Sequence, residues 1–286
     1  MLDVDGAWDL HVHSSPDLFP RVADDAQVVA DAARQGFAGL VMKNHFEGTA
    51  SRAALAARAG PGVKVYGGIV LNRAVGGVNP HAVEVALRLG ARIVWMPTLG
   101  AECHRRAFGF GGGFPAQASG LEGQAPGIVI VRDGALVPEA RETMALVRQH
   151  RAALATGHVS REEIRALVHE ARAQGFRKLI VTHPYDRAPG LTLAEVTEIA
   201  AHDVRLEFVF CSITPRWAFT TAAAIAECIR AVGAPKFVLS SDGGQAHNPM
   251  PADGYRAFVR ALAAAGIAAD DFRVMCRDNG DFLLHG

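Results

Sequence analysis

Short apolar blocks alternate along the chain with longer segments in which apolar residues recur at helical spacing. Blocks such as IVWMP, LIVTH and FVLSS are almost continuously apolar, which is typical of strands covered on both faces. The helical segments are rich in alanine, and several are followed by glycine, a common residue just after a helix C-terminus. The predicted strands are Trp8–His13, Gly39–His45, Val63–Leu71, Arg92–Thr98, Ala153–His158, Lys178–His183, Arg205–Cys211 and Lys236–Asp242.

This alternation predicts a single (β/α)8 TIM barrel. Eight strand–helix units in succession favour a parallel sheet with right-handed crossovers. No change of composition along the sequence marks a second domain. We therefore predict that residues 1–286 form one barrel.

One insertion interrupts the regular spacing of these units, after the fourth strand, at residues 99–137. Its second part, residues 127–136, predicts a β-hairpin, because the Asp-Gly pair at 133–134 is typical of a tight hairpin turn. Segments that follow a strand lie on the catalytic face of such a barrel. We therefore predict a lid at this position. The first part of the insertion is rich in glycine and carries three aromatic residues, Phe108, Phe110 and Phe114.

Composition and charge exclude several functional classes. The chain has 286 residues, 50% of them hydrophobic, and a formal net charge of +0. Without a basic excess we expect no nucleic-acid partner, and without an apolar run of about 18 residues we expect no membrane span. The N-terminal residues lack the features of a signal peptide, so we expect a cytoplasmic protein. The expected partner is a small-molecule substrate, and assembly into a homo-oligomer is left open.

Histidines and one aspartate stand at the carboxyl ends of the predicted strands. The carboxyl ends of barrel strands meet at one mouth, so these side chains are expected to converge. Residues i and i+2 of a strand point to the same side, so the two imidazoles of a His-x-His pair can bind one ion. A lone pair of this kind carries little weight, and the ordered set is what predicts a metal site. Its members are His11 and His13 on the first strand, His45 on the second, His158 on the fifth, His183 on the sixth and Asp242 on the eighth.

The ligand types indicate the metal and the chemistry. Zinc binds imidazole nitrogen and carboxylate oxygen and keeps one position open for water in catalytic sites. We expect zinc as the cofactor, with manganese or iron as alternatives, at one or two ions per chain. Water acidified by such an ion can attack a carbonyl carbon. Asp242 could then bind the ion or accept the proton of the attacking water.

The ordered set resembles that of the amidohydrolase superfamily of metal-dependent hydrolases. The resemblance covers nearly the whole chain, and residues 272–284 look like the closing helix that often follows the eighth strand in that superfamily. It implies that His11, His13 and Asp242 hold a metal and that Asp242 shuttles a proton. His158 and His183 would bind a second metal or, in one-metal members, serve as a ligand and as a group that activates the substrate. The segments that carry the resemblance are Asp9–His13, Ala155–His158, Val181–Pro184 and Ser240–Gly243.

One position departs from the superfamily pattern. Two-metal members usually carry a carboxylated lysine or a glutamate at the end of the fourth strand. Here that strand ends Val94–Thr98 and contains neither residue. Lys43 and His45 on the second strand are i and i+2, face the same way and could substitute. The departure favours one metal over two.

A second resemblance leads to a different reaction. The histidinol-phosphatase-like fold also opens with a His-x-His pair and has a downstream aspartate, here Asp17. Its second motif ends in Asp-His, where this chain has Asn44-His45. This resemblance implies a phosphoesterase. The full count of eight strands and the Ser-Asp-Gly end of the last one favour the amidohydrolase alternative.

Cationic side chains near the predicted mouth indicate an anionic substrate, because arginine can bind a carboxylate through two hydrogen bonds. The leading hypothesis is a metal-dependent hydrolase that cleaves an amide, lactone or related ester bond of a small anionic molecule. A decarboxylase-like enzyme on the same barrel and a metal-binding protein without turnover are the alternatives. The residues proposed to bind substrate are Arg21, Lys43, Arg73 and His104.

Overall fold

Eight parallel strands form the body of the protein. The computed structural model describes residues 4–109 and 125–286. Each barrel strand pairs in parallel with the next one along the chain, which confirms the predicted (β/α)8 barrel. The barrel strands are β1 (Trp8–Val12), β2 (Gly39–Met42), β3 (Lys64–Val70), β4 (Ile93–Trp95), β7 (Ala153–Ala155), β8 (Leu179–Thr182), β9 (Arg205–Val209) and β10 (Phe237–Ser240), and β5 (Val131–Arg132) and β6 (Ala135–Leu136) form a separate antiparallel pair.

A helix follows each barrel strand, and several helices begin with capping side chains. Asp24, Ser160 and Thr192 each accept a hydrogen bond from the backbone three residues on, in a capping box that stabilises the first turn. None of the described helices is long and apolar enough to cross a membrane. The helices are α1 (Asp25–Arg34), α2 (Ala50–Ala56), α3 (Pro80–Arg88), α4 (Glu102–Phe108), α5 (Pro138–Gln149), α6 (Arg161–Ala173), α7 (Leu193–Ala200), α8 (Ala222–Val232), α9 (Pro251–Ala264), α10 (Ala269–Arg273) and, after a π-helical turn at Val274–Asp278, α11 (Asn279–His285).

The barrel closes between its first and last strands. The backbone N–H of His13 donates to the carbonyl oxygen of Gly243 at 2.8 Å. The backbone N–H of Ser241 donates to the Asp9 carboxylate at 2.9 Å. These bonds join β1 to the residues after β10, so the seam of the barrel lies beside the first pair of histidines.

Apolar side chains alternate between two layers along the strands. On β2, Leu40 and Met42 pack in the large cluster shared with the helices, whereas Val41 packs in a second cluster inside the barrel. Leu283 and Leu284 of α11 join this inner cluster, and Trp8 donates its indole N–H to Asp281 at 3.0 Å. The C-terminal helix therefore closes the end of the barrel at which the strands begin, as the resemblance implied.

Several predicted strands end earlier than expected. The predictions carried strands through His158, His183 and Asp242, but β7, β8 and β10 end at Ala155, Thr182 and Ser240. His183 has φ 23° and Asp242 has φ 45°, which extended strands do not adopt. The site residues therefore follow the strands, in turns that direct their side chains over the mouth.

The insertion after β4 contains the predicted hairpin. β5 and β6 pair in antiparallel fashion around Asp133 and Gly134, whose φ values of 52° and 76° fit a tight turn of the type that suits Asp-Gly. Helix α4 precedes it and was not predicted. Phe110 and Phe114 lie outside the described residues, so the predicted lid stays a prediction.

Substitution of Gly244 should weaken the seam. A Cβ at this position would lie 1.9 Å from the carbonyl oxygen of His13, and φ is +116°. We expect Gly244→Ala to lower the free energy of unfolding by about 2–4 kcal/mol, the sum of backbone strain and overpacking. Chemical denaturation measures this change.

Gly90→Ala is the matched control, because Gly90 has φ +99° but open space at its Cβ. It should lower the free energy of unfolding by only about 1–2 kcal/mol, from backbone strain alone. Equal losses in the two variants would mean that the approach of Gly244 to His13 does not limit closure.

Candidate metal centre

Three predicted ligands meet at the carboxyl end of the barrel. Nε2 of His11 lies 3.1 Å from Oδ1 of Asp242, and Nε2 of His13 lies 3.2 Å from the same oxygen. We call these residues the His–His–Asp triad. Their ligand atoms lie within 4.8 Å of one another, and within residues 4–109 and 125–286 no other group of three histidine, cysteine or acidic side chains comes as close.

A buried carboxylate fixes His11 from its other ring nitrogen. Nδ1 of His11 lies 3.3 Å from Oε2 of Glu207, on β9, and the two side chains are 0% and 2% exposed. An ionised carboxylate only accepts hydrogen bonds, so Nδ1–H of His11 donates to Glu207, and the Nε2 lone pair is directed at the triad. Metal-bound histidines usually have such a partner. Nζ of Lys43 lies 2.8 Å from the same Nε2.

The two carboxylates make the triad attractive to positive charge. Burial lowers the pKa of His11, but the charges of Asp242 and Glu207 outweigh burial and raise this pKa to about 9. Burial raises the pKa of Asp242, but the charge and hydrogen bond of His11 hold it well below its usual range. The pKa of Lys43 falls to about 8 because the amine is buried. Without a metal ion, a proton on His11 offsets the negative charges of Asp242 and Glu207. A bound cation would offset the same charges in place of that proton.

His13 is oriented by an arginine. Nη2 of Arg21 lies 3.1 Å from Nδ1 of His13, and Nε of Arg21 donates to Asp17 at 2.8 Å. Burial, followed by the charge of Arg21, lowers the pKa of His13 well below its usual value. A guanidinium only donates, so Nδ1 of His13 accepts, and an ion at Nε2 would replace the proton held there. Arg21 lines the cavity as predicted, but its guanidinium donates to His13 and so orients that ring.

Five more histidines line the cavity beside the triad, and four of them, His45, His104, His158 and His183, are buried neutral rings. Burial lowers the pKa of His104 to about 3 and that of His183 to about 4. The pKa values of His45 and His158 are also lowered well below the usual value, mainly by burial. Neutral imidazoles keep a lone pair, so all four can accept a hydrogen bond or bind an ion.

Partners from other elements hold these rings in place. Nδ1 of His45 lies 3.0 Å from Oγ1 of Thr98, which lies three residues after β4. Nδ1 of His104, on α4, lies 2.8 Å from Nδ1 of His158. One of these nitrogens therefore carries a proton and donates it in a hydrogen bond to the other. The rings of His158 and His183 are 4.9 Å apart. The insertion therefore contributes a side chain to the site.

Asp186 adds a carboxyl group on the side of His183. Its Oδ2 lies 3.3 Å from Nδ1 of His183, and its Oδ1 accepts a hydrogen bond from the Ser212 hydroxyl. Burial raises the pKa of Asp186 well above its usual range. A protonated Asp186 can donate a hydrogen bond, which the ionised Asp242 cannot.

These side chains surround a cavity of about 380 Å³. Every predicted site residue borders it except two. His11 lies beneath its surface, with 0% exposure. Arg73 lies elsewhere, exposed beside the hairpin in a separate groove, where it donates to the carbonyl oxygen of Pro126. The loop after β3 turns away from the mouth, so the predicted role of Arg73 in binding substrate has no support from its position.

Sequence reasoning missed Glu207 and Asp186. A signal for Glu207 was available, because a single glutamate interrupts the apolar strand RLEFV, and a buried carboxylate needs a charged partner. Asp186 had no such signal, because it lies in a loop three residues after His183.

The residues present fit a divalent metal ion. Two imidazole nitrogens and one carboxylate oxygen are the donor types that zinc and similar ions use. The carboxylates of Glu207 and Asp242 on either side of His11 favour a positive charge at this site. Glu207 supplies the outer partner that orients a ligating imidazole.

Glu207→Gln should weaken metal binding. Glutamine can still accept a hydrogen bond but lacks the charge that favours a cation next to His11. We expect the dissociation constant for zinc to rise by about 10–100-fold. A competition titration against a chromogenic chelator measures it.

Glu163→Gln is the control, because Glu163 is a buried glutamate that accepts from the Ile130 backbone, away from the triad. Its zinc affinity should match that of the unchanged protein. An unaltered affinity in Glu207→Gln would mean that Glu207 does not tune His11.

Solved structures with similar folds belong to the amidohydrolase superfamily. An amidohydrolase from Pseudomonas aeruginosa has a TM-score of 0.65 at 14% identity, with 98% of this chain and 95% of that chain covered. The metallo peptidase dipeptidase AC has a TM-score of 0.61 at 14% identity, covering 99% and 98% of the two chains. A 2,6-dihydroxybenzoate decarboxylase has a TM-score of 0.56 at 13% identity, covering 98% and 99%. The resemblance drawn from the strand-end residues is thus confirmed in the fold.

Comparison of sequences gives the family. No curated protein matches the sequence. A family model, described as a family of unknown function, DUF6282, matches residues 6–207 and thereby more than half of the chain. The protein therefore belongs to the DUF6282 family.

Proposed function

We propose that this protein is a metal-dependent hydrolase that cleaves an amide, lactone or related ester bond of a small anionic molecule. The observation that carries the proposal is the His–His–Asp triad, in which Asp242 lies 3.1 Å and 3.2 Å from the two imidazoles at the mouth of the barrel. Structures with similar folds include hydrolases, among them a metallo peptidase. That likeness supports the reaction type and leaves the substrate to be tested.

Each side chain of the site has a separate role in the proposed hydrolysis. A divalent ion, when bound, would supply Lewis acidity that polarises the carbonyl group and acidifies water. Asp242 is ionised, because the charge and hydrogen bond of His11 hold its pKa low, and it faces the cavity, so it is the group that accepts the proton of the attacking water and passes it to the leaving group. His183 and His158, as neutral rings, bind and orient the carbonyl group. Glu207 keeps His11 in the orientation that the site needs.

We propose one zinc ion, held by His11, His13 and Asp242. The same donor set accepts manganese or iron. Thr98 occupies the end of the fourth strand and binds His45, so no carboxylate is supplied from that strand. Lys43 lies against His11 instead of between two ligand groups. These contacts support one ion over a bridged pair.

Decarboxylation is the second candidate. The cations that line the cavity suit a carboxylate, and one similar fold is that of a 2,6-dihydroxybenzoate decarboxylase. Phosphoester hydrolysis has less support, because Asp17 is bound to Arg21 and to the Phe19 backbone instead of to the triad. A panel of lactones, amides, phosphoesters and carboxylic acids, assayed with the metal-loaded protein, separates the three reactions by their products.

The double variant His11→Ala/His13→Ala should lose its metal. Two of the three ligands are removed, and one carboxylate does not hold zinc tightly. We expect elemental analysis to find less than about a tenth of the zinc of the unchanged protein, with the barrel still folded because apolar layers stabilise it. His13→Ala alone keeps the His11–Glu207 pair and serves if the double variant unfolds.

The control for this experiment is His169→Ala/His202→Ala, because these two histidines contact each other with ring centroids 5.9 Å apart, with His169 on α6 and His202 in the turn after α7. Its zinc content should be unchanged. Full zinc content in the triad variants would place the metal site elsewhere.

Asp242→Asn should abolish most turnover on any panel compound that the unchanged protein converts. Asparagine keeps the shape and one oxygen ligand but cannot accept a proton, so we expect turnover to fall by about 10²–10⁴-fold. Zinc content should change little. Asp253→Asn makes the same change on the exposed first turn of α9 and should leave turnover intact. Near-normal turnover in Asp242→Asn would remove the role of Asp242 as the base.

A further inference from the structure

The mouth of the cavity is aromatic, in contrast to its polar floor. Four aromatic side chains line it from three separate segments, which are the loop after β1, helix α4 and the loop after β9. The ring centroids of Phe108 and Phe219 are 5.7 Å apart, and those of Trp217 and Phe219 are 5.6 Å apart. Phe19, from the loop after β1, lies next to His45, with ring centroids 5.8 Å apart. A flat apolar group would therefore meet ring faces or edges on more than one side.

Three cationic side chains line the same cavity, and two of them are already engaged. Nε of Arg21 binds Asp17, and Nη2 approaches Asp17 and His13. Nζ of Lys43 lies against His11. Arg216 has no hydrogen bond or ion pair with any residue in the described part of the chain, and its guanidinium carbon lies 5.9 Å from the Trp217 ring centroid. A guanidinium with its donors available thus stands at the edge of the aromatic wall.

We propose that the cavity takes a small carboxylate with an aromatic or similarly flat ring, whose carboxylate binds Arg216 and whose ring packs against Trp217 and Phe219. The proposal deepens the proposed function and rests on it in taking this cavity as the substrate site. A guanidinium binds a planar carboxylate through two parallel hydrogen bonds.

The cavity size agrees with this class. Small-molecule pockets typically have volumes of about 300–1,000 Å³, and the cavity of about 380 Å³ lies near the lower end. A single ring with short substituents fits that space, with its reactive group reaching the triad. Arg216 and Trp217 are adjacent in sequence, so one loop after β9 would recognise both the charge and the ring.

Ligand-observed NMR titration of the zinc-loaded full chain tests the proposal with three probes. Phenylacetate has both the ring and the carboxylate, acetate lacks the ring, and 2-phenylethanol lacks the charge. We expect phenylacetate to bind at least about tenfold more tightly than 2-phenylethanol, which lacks the charged hydrogen bond, and at least about tenfold more tightly than acetate, which lacks the apolar burial of the ring. Equal binding of acetate would overturn the role of the ring, and equal binding of 2-phenylethanol would overturn the role of the charge.

Two variants locate the contacts. Arg216→Gln should weaken phenylacetate by about tenfold or more and leave 2-phenylethanol unchanged. Trp217→Leu should weaken both ring-bearing probes. Arg58→Gln, in the exposed turn after α2 at the other end of the barrel, is the matched control and should change neither. An unchanged phenylacetate affinity in Arg216→Gln would overturn the proposal, because the carboxylate would then bind elsewhere.

The outcome is separable from that of the proposed function. If the triad of the unchanged protein does not bind zinc but phenylacetate still binds through Arg216, the metal-dependent hydrolase is refuted and the proposed ligand class is supported. Zinc-dependent turnover of panel compounds without Arg216-dependent binding would do the reverse.

Discussion

A buried imidazole between the buried carboxylate of Glu207 and the partly exposed carboxylate of Asp242 is the interaction on which the site depends. His11 contacts Glu207 through Nδ1 and Asp242 through Nε2, and it thereby joins β1, β9 and the residues after β10. Burying an unpaired carboxylate is costly. The carboxylates of Glu207 and Asp242 are tolerated here because each contacts the imidazole of His11. The same residues flank the seam, where His13 donates its backbone N–H to Gly243. Closure of the barrel and assembly of the triad are therefore one structural event.

That coupling explains where the backbone is distorted. His183 and Asp242 both have positive φ, which costs a residue other than glycine on the order of 1–3 kcal/mol. His183 directly follows β8 and Asp242 lies two residues after β10. The turns bring their side chains over the mouth instead of leaving them on the walls. Contacts from several directions hold each turn, including the bonds of Asp242 to two histidines and the contact of His183 with Asp186. The strain thus lies at the residues proposed for catalysis.

The sequence predicted those features that depend on strand order. His11, His13 and Asp242 could be placed together because all parallel strands of a barrel end at one mouth. Side chains in loops could not be placed in this way, because a pattern of apolar residues does not determine the direction of a loop. Lys43 directly follows β2, whereas Arg73 lies three residues after β3, in a loop that turns towards the hairpin. Glu207 was missed because the strand RLEFV was identified by its apolar residues. The negative charge of Glu207 nevertheless required a buried partner, which is His11.

Chemistry and recognition are assigned to different parts of the chain. The triad and Glu207 lie on or directly after strands, where closure of the barrel holds their positions. The aromatic wall and Arg216 belong to α4 and to the loops after β1 and β9, which carry little of the core. Loops on such a barrel can change without disturbing the strands. A member of this family could therefore retain the triad and differ at positions 216–219, and its preferred ligand would change before its metal site did.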